Sequence, residues 1–393
     1  MVESKYLIVG GGMTGDAASK GIRSVDAEGS IVLVGDESHP PYARPPLSKK
    51  LWQGKDESTV WRGTEEQHVD LRLGRTIVSL DLDGRRATDD RGETYAYERV
   101  LLATGGRPRR LTNAVDDVIY FRTLDDYRRL RAETSGGVRA VVIGGGFIGS
   151  EIAAALASTG SDVVMVFPEP AIGFRLFPAD LAESLNDYYR SKDVEVLAGE
   201  GVEGVERDGE RFVVRTGGGR TIEADVVVAG LGIEPRDELA VAAGLPAANG
   251  IPVDDRGRVA GRDDVFAAGD VARFPARALD TELRVEHEDH AKSHGKLVGA
   301  NMAGADEPYE HLPFFYSDLF DLGYEAVGQV DSRLETVAEW RDPVRKGVIG
   351  YLDGARRPRG FLLWGIFDKV DAATDLVRAG KPLDAASLRE LAD

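Results

Sequence analysis

Cysteine is absent from the 393 residues. That excludes disulfides, thiolate metal sites and a Cys-x-x-Cys redox relay. Lysine is scarce, 11 residues against 38 arginines, and 67 acidic residues outweigh all 49 Lys and Arg to leave a net charge of −18. Such a surface repels nucleic-acid phosphates, so no DNA or RNA partner is expected. Low lysine with abundant acid resembles proteins of salt-rich cytoplasms, and high-GC coding is a competing source of the arginine bias. Long hydrophobic runs are missing too, so no membrane span is expected. The first strand starts by Tyr6, which leaves no room for a signal peptide, and the expected compartment is the cytoplasm. A hydrophobic content of 42% and a charged content of 30% fit a globular chain of two or three domains.

What the chain has in abundance is glycine placed after short apolar strands. Tyr6-Leu7-Ile8-Val9 runs into Gly10, Gly12 and Gly15 at the spacing of a dinucleotide fingerprint. The first glycine permits a tight turn, the second lets backbone approach a pyrophosphate, and the third lets the next helix pack on the sheet. The opening of that helix offers unpaired N–H groups and partial positive charge to phosphate. A second strand, Ile31–Val34, ends at Asp36, where a ribose-binding carboxylate belongs. One such turn can serve packing alone. The unit, however, is repeated: Ala140–Ile143 leads to Gly144, Gly146 and Gly149, and Val163–Phe167 leads to Glu169. Two fingerprints point to two dinucleotides.

Between them, four prolines in His39–Lys49 fix a loop that carries Arg44 and Lys49. From composition alone it reads as a rigid turn with solvated cations. Trp52 and Trp61 are expected to pack the segment that follows. Strand-like pieces cover Arg72–Leu82 and Glu93–Tyr97, with Asp83-Gly84 as a hairpin signal. Separate buried strands then end at Thr104-Gly105-Gly106 and at Gly230-Leu231-Gly232, each closing a nucleotide-binding sheet. Val265–Asp270 is another strand-to-turn junction, with Asp270 behind Gly269. A helix from about Glu286 to Met302 carries His287, His290 and His294. His290 and His294 lie one turn apart, yet no third ligand stands at a metalloprotease spacing, so no metal is expected. From Tyr309 onward, short antiparallel-type strands and a helix stopped by Gly380 indicate an α+β domain.

With these motifs in hand, the chain resembles the FAD-dependent pyridine-nucleotide reductases of the ferredoxin/rubredoxin-reductase branch, and most of all the apoptosis-inducing-factor group. The resemblance rests on Tyr42–Lys49, Gly144–Glu151, Phe167-Pro168-Glu169, Val265–Asp270, Glu286–His290 and Phe315–Asp318, continuing into Gly323–Ala326. The family's Trp-Ser-Asp reads Tyr316-Ser317-Asp318 here, and the C-terminal domain is short. The resemblance implies an α/β fold of two doubly wound, Rossmann-like domains with an NAD domain (109–232) inserted in an FAD domain (1–108 and 233–308). A C-terminal α+β domain (309–393) follows.

It also implies roles. FAD would occupy the first fingerprint, with Asp36 on its ribose, and Arg44, Lys49, Thr104, Gly105, Gly269 and Asp270 around it. Asp270 would accept from the ribityl hydroxyls. The helix beginning near Glu286 and His287 would aim its positive end at the flavin pyrimidine, and Tyr316 would be the aromatic neighbour. NADH would occupy Gly144, Gly146 and Gly149, with Glu169 on its ribose. Phe147 would cover the flavin, and Lys49 and Glu151 would pair beside its N5. Taken singly, Phe147 also reads as core and Glu151 as a solvated first-turn acid; the joint match decides. The implied function is an NADH-dependent oxidoreductase passing electrons to a ferredoxin, rubredoxin, quinone or oxygen. The alternative is a slow redox-sensing flavoprotein that signals through dimerisation or partner binding, and a homodimer is left open.

Overall fold

The computed structural model describes every residue from Met1 to Asp393. Two compact units emerge: residues 1–43, 57–107 and 234–314 form the first, and 44–56, 108–233 and 315–393 the second. The first is therefore discontinuous in sequence.

The central sheet of the first unit is parallel at its heart, in the order Val69–Leu73, Ile31–Gly35, Val2–Val9, Thr94–Leu102, with Val265–Ala267 beyond. Tyr6 pairs with Ile31 and Val9 with Leu102. Strands buried on both faces read as unbroken apolar runs, and Ile31–Gly35 is buried at every position. The piece Glu93–Tyr97 and the buried strand expected to end at Thr104-Gly105-Gly106 are one strand, Thr94–Leu102, not two. It runs parallel to Val2–Val9 throughout; on its other side the first residues pair antiparallel with Arg86–Asp89 and alternate in burial, whereas Val100–Leu102 pair parallel with Val265–Ala267 and are all buried. That change of pattern mimics a strand boundary. The stretch Arg72–Leu82 is, conversely, split by a turn at Gly74 into Val69–Leu73 and Ile77–Asp81. Trp52 is buried, and Trp61, 38% exposed, packs edge-on against Tyr42 at 6.2 Å.

Two helices, Met13–Arg23 and Glu288–Ala303, cover this sheet. They touch backbone to backbone: a Cβ at Gly21 would lie 2.0 Å from the Lys296 carbonyl oxygen, and one at Gly299 would lie 2.1 Å from that of Ala18. Ala18, Ile22, Val298 and Met302 then join Tyr6, Ile8, Leu33 and Phe266 in one core.

The second unit repeats the design. Its parallel sheet runs Val194–Ala198, Asp162–Phe167, Arg139–Ile143, Val226–Ala229, Ile119–Tyr120. A three-stranded antiparallel sheet (Val202–Asp208, Arg211–Thr216, Thr221–Ala224) adds Val205, Phe212 and Val214 to its core. Residues 314–364 form a five-stranded antiparallel sheet, followed by the helices Val370–Ala379 and Ala385–Ala392. Gly380 ends the first of these in the left-handed region at φ 60°. The last helix had no counterpart in the reading of the sequence.

Gly299→Ala drives a methyl group into the Ala18 carbonyl, and helix separation would break the core above it. We expect a loss of about 1–3 kcal/mol, as for overpacked cores, read as a lower denaturation midpoint. An unchanged midpoint would show that the helices part at no cost.

Candidate functional site

Both fingerprints fold as the glycine spacing demands. Gly10 sits at φ 128°, and a Cβ there would lie 2.1 Å from the Ala103 carbonyl oxygen. Gly15 opposes the Gly10 carbonyl, where a Cβ would come within 2.2 Å. Gly144 and Gly149 repeat this at φ 116° and with a Cβ 2.0 Å from the Gly144 oxygen. The middle glycines differ: a Cβ on Gly12 or on Gly146 would meet nothing within 4 Å. Each is the N-cap of its helix, in extended conformation and without a side-chain cap. Uncapped first-turn N–H groups facing open space suit a phosphate group. The one acid in the first turn of the first helix, Asp16, is turned inward and neutralised by Arg62 at 2.5 Å and Lys20 at 3.0 Å, with Thr64 donating at 2.8 Å. By the chemistry of its donors and its shape, each turn fits a dinucleotide pyrophosphate.

Other expected residues of the first unit lie at the carboxyl ends of its strands. Asp36 follows Ile31–Gly35 and accepts from Arg236, a partner 200 residues away that the sequence did not signal. Thr104 and Gly105 follow Thr94–Leu102; Thr104 Oγ1 donates to the Arg236 carbonyl at 2.6 Å. Gly269 and Asp270 form a 3-10 turn after Val265–Ala267, and Asp270 is 8% exposed. Its carbonyl accepts from Arg284 at 3.1 Å, and Arg284 pairs with Glu286 at 2.6 Å. The helix starts at Glu288, two residues later than expected, because His287 adopts the extended N-cap conformation. Burial pushes the His287 imidazole down to about 4 against the opposing charges of Asp270 and Asp289. It is a neutral ring at the helix N-terminus.

His290 and His294 lie deeper in that helix, fully buried. Phe274 stacks on His290 at 4.8 Å, and Tyr309 covers His294 at 4.5 Å. The Gly269 N–H donates to His294 Nδ1 at 3.3 Å, which leaves the His294 proton on Nε2. His290 Nδ1 bonds the Tyr309 hydroxyl at 3.0 Å. Neither Nε2 atom has a protein partner. Nowhere do three His, Asp or Glu side chains converge as a metal-binding group.

The second unit brings together residues far apart in sequence. Arg44 donates to the Arg122 carbonyl at 2.8 Å, which anchors the proline loop. Pro45–Ser48 is a 3-10 turn that delivers Lys49. Phe147 opens the helix Phe147–Ser158, and Glu151 follows one turn later on the same face. Lys49 Nζ lies 2.5 Å from Glu151 Oε1, with side chains only 9% and 4% exposed. Phe147 packs edge-on against Phe315 at 5.4 Å. Lys49 sits 5.5 Å from the centre of the Tyr316 ring. Two serines that sequence reasoning passed over also reach the carboxylate: Ser317 Oγ donates to Glu151 Oε1 and Ser48 Oγ to Oε2, both at 2.5 Å. Each stands inside a motif already singled out, Pro-Leu-Ser-Lys and Tyr-Ser-Asp. Beyond the second strand, Glu169 pairs with Arg175 at 2.9 Å; Glu169 is 27% and Arg175 84% exposed.

Twin parallel sheets with phosphate-cradling turns and a buried Lys–Glu pair define a two-dinucleotide redox protein. Residues 4–295 match the pyridine nucleotide-disulphide oxidoreductase family, and the chain belongs to it. Residues 298–345 match the C-terminal region of apoptosis-inducing factor, mitochondrion-associated. Apoptosis-inducing factor 1 of Dictyostelium discoideum is 34% identical, over 95% of this chain and 78% of that one. The ferredoxin–NAD(+) reductase component of the anthranilate 1,2-dioxygenase system of Burkholderia cepacia is 33% identical, over 99% and 98%. Putidaredoxin reductase, solved in covalent complex with putidaredoxin, superposes with a TM-score of 0.92 at 27% identity, over 100% and 96%. The chain is a flavoprotein oxidoreductase that uses FAD and a nicotinamide nucleotide. Lacking cysteine, it does so without the thiol pair that the family name invokes.

The histidine pair makes stability acid-sensitive. Burial lowers His294 to about 3, and burial together with the neighbouring histidines holds His290 well below its ordinary value. Below the unfolded value of about 6.5, the unfolded chain binds protons that the native chain refuses. Stability is therefore full above that value and falls as pH drops towards 4, by up to about 2.7 kcal/mol per pH unit for two groups. Denaturation midpoints across this range should fall steadily, and His294→Gln should flatten the decline. A flat profile in the wild-type protein contradicts the assignment.

Proposed function

We propose that this chain is an NADH-dependent reductase that passes electrons from its flavin to an external acceptor. The observation that carries the reading is the buried Lys49–Glu151 pair, one helical turn from Phe147 and directly after the second fingerprint. Bound FAD supplies a carrier that takes a hydride and releases electrons afterwards. The chain supplies binding, orientation and charge. In this reading the first fingerprint and Asp36 hold FAD, Asp270 accepts from its ribityl hydroxyls, and the start of the helix at His287 favours negative charge on the reduced ring. Arg44, Thr104, Gly105, Gly269, Glu286 and Tyr316 complete the cofactor shell. The second fingerprint and Glu169 hold the nicotinamide nucleotide, Phe147 yields its place to the nicotinamide, and Lys49 with Glu151 acts where the hydride passes. The division at 108, 232 and 308 belongs to the same proposal. A slow redox-sensing flavoprotein is the second reading, supported by the match of residues 298–345 to the apoptosis-inducing-factor C-terminal region.

The protein should purify yellow, with one non-covalent FAD per chain. Asp270→Ala leaves ribityl hydroxyls unpaired and should weaken FAD by about 1–3 kcal/mol, measured by flavin release during dialysis or titration. Retention equal to wild type removes Asp270 from the shell.

NADH should be preferred to NADPH, because a carboxylate at Glu169 accepts from a ribose 2′-hydroxyl and repels a 2′-phosphate. Arg175 is already engaged by that carboxylate. Specificity constants for the two nucleotides decide the matter, and Glu169→Ala should narrow the ratio. A wild-type preference for NADPH overturns this.

The acceptor follows from charge. Arginine clusters that could dock an acidic ferredoxin are partly neutralised: Arg107 pairs with Glu234 and Glu238, Arg356 with Glu335, and Arg357 with Asp353. Arg359 donates to Gln329, and Arg110 lies over the Tyr120 ring. With a total of −18, repulsion acts over a Debye length of about 8 Å at physiological salt. Uncharged quinones face no such barrier and should outperform an acidic ferredoxin at low salt. Steady-state NADH oxidation with each acceptor across a salt series tests this. Fast ferredoxin reduction that slows as salt rises reveals an attractive patch and defeats the charge argument. Turnover that stays slow with every acceptor, with a change of oligomeric state on reduction, supports the sensing reading instead.

A further inference from the structure

Glu151 needs more than its cation. A carboxylate 4% exposed has two oxygens to satisfy, and the Lys49 ammonium lies 2.5 Å from Oε1. An uncovered buried carboxylate oxygen is costly. Ser48 Oγ covers Oε2 and Ser317 Oγ adds a second donor to Oε1, each at 2.5 Å. Both hydroxyls are themselves buried, 5% and 1% exposed. Ser48 has another acceptor in reach, the Pro45 carbonyl, but at 3.4 Å, so its proton goes to Glu151.

We propose that Ser48 and Ser317 are positioning residues: their hydroxyls, gripping the two carboxylate oxygens from separate segments, fix Glu151 and through it Lys49. An ammonium is a point charge on a flexible stem and sets no orientation of its own. Glutamate has several rotatable bonds, and a single contact to Oε1 leaves the other oxygen free to swing. Two donors on different oxygens remove that freedom. Their origins make the clamp informative. Ser48 comes from the proline-fixed 3-10 turn, one residue before Lys49, and Ser317 from the strand Phe314–Leu319, one residue after Tyr316. Glu151 thus ties the lysine loop, the helix of the second fingerprint and the C-terminal sheet at one point. The surrounding phenols stay out of the charge balance. Burial, then the Glu151 charge, holds Tyr189 and Tyr324 well above their ordinary value, so both remain protonated.

The inference rests on the reading of Lys49–Glu151 as the pair at the flavin, and the test separates the two. Holoprotein carrying Ser48→Ala with Ser317→Ala is compared with Ser48→Thr, Ser317→Thr and Glu151→Ala. FAD content, NADH dissociation constant and stopped-flow flavin reduction are measured for each. The double alanine variant should bind FAD and NADH as wild type does yet reduce its flavin about tenfold or more slowly, the scale of hydrogen bonds to a charged group. Threonine, which keeps the hydroxyl, should restore the rate. Independently of turnover, chemical denaturation should show that Ser317→Ala and Glu151→Ala are not additive, as for partners in one hydrogen-bond network. Wild-type reduction in the double alanine variant, with Glu151→Ala slow, overturns the clamp and leaves the pair. Additive denaturation effects, or threonine variants as slow as alanine with full FAD, also overturn it. Unaltered rates in Glu151→Ala remove the pair itself from the mechanism, and the clamp with it.

Discussion

Everything in this chain depends on two places where backbone meets backbone with no room for a side chain between. At Gly10–Gly15 and at Gly144–Gly149 the carbonyl of the first glycine lies where a Cβ of the third would stand. Only this closeness lets a helix start straight off the end of a parallel strand with its first N–H groups unspent. Those groups cannot be satisfied by a side-chain cap, since Gly12 and Gly146 are the caps. The need for a partner is therefore built into the fold. A dinucleotide phosphate is the partner whose charge and acceptor count match it. The neighbouring helix Glu288–Ala303 is locked to the first by the same device, backbone against backbone at Gly21 and Gly299.

The buried Lys49–Glu151 pair is a different kind of constraint. Burying two charges costs several kcal/mol each before their attraction repays it, and a well-packed apolar pair would do as well for stability. Its carboxylate is held by two serine hydroxyls as well as by its cation. The contrast with Asp16 is instructive. That carboxylate is also buried, but its partners Arg62, Lys20 and Thr64 satisfy it completely beneath the first helix, where it steadies the turn and touches no open space.

How far the sequence could be read follows from range. The fingerprints were legible because glycine at φ 128° or 116° is a local steric demand, visible in ten residues. The parallel strands were legible because they are apolar on both faces. Strand Thr94–Leu102 was misread because it changes partners midway, and burial changes from alternating to continuous with it. Residues that act by meeting were least legible. Ser48 and Ser317 stand 103 and 166 residues from Glu151, and Arg236 stands 200 from Asp36. No periodicity carries such information; only the assembled sheets do.

The arginines close the argument about partners. Most of the ion pairs they form lie at the surface, such as Arg139–Asp162 and Arg215–Glu206. Exposed pairs of this kind contribute about 0–1 kcal/mol each, so they do not hold the fold together. Their effect is on the field outside it. Each arginine locked to a neighbouring carboxylate is withdrawn from any patch that an acidic protein could recognise, while the surplus acids stay in place. The chain keeps a net charge of −18 although it carries 38 arginines. At physiological salt that field reaches about 8 Å from the surface, and concentrated salt shortens it.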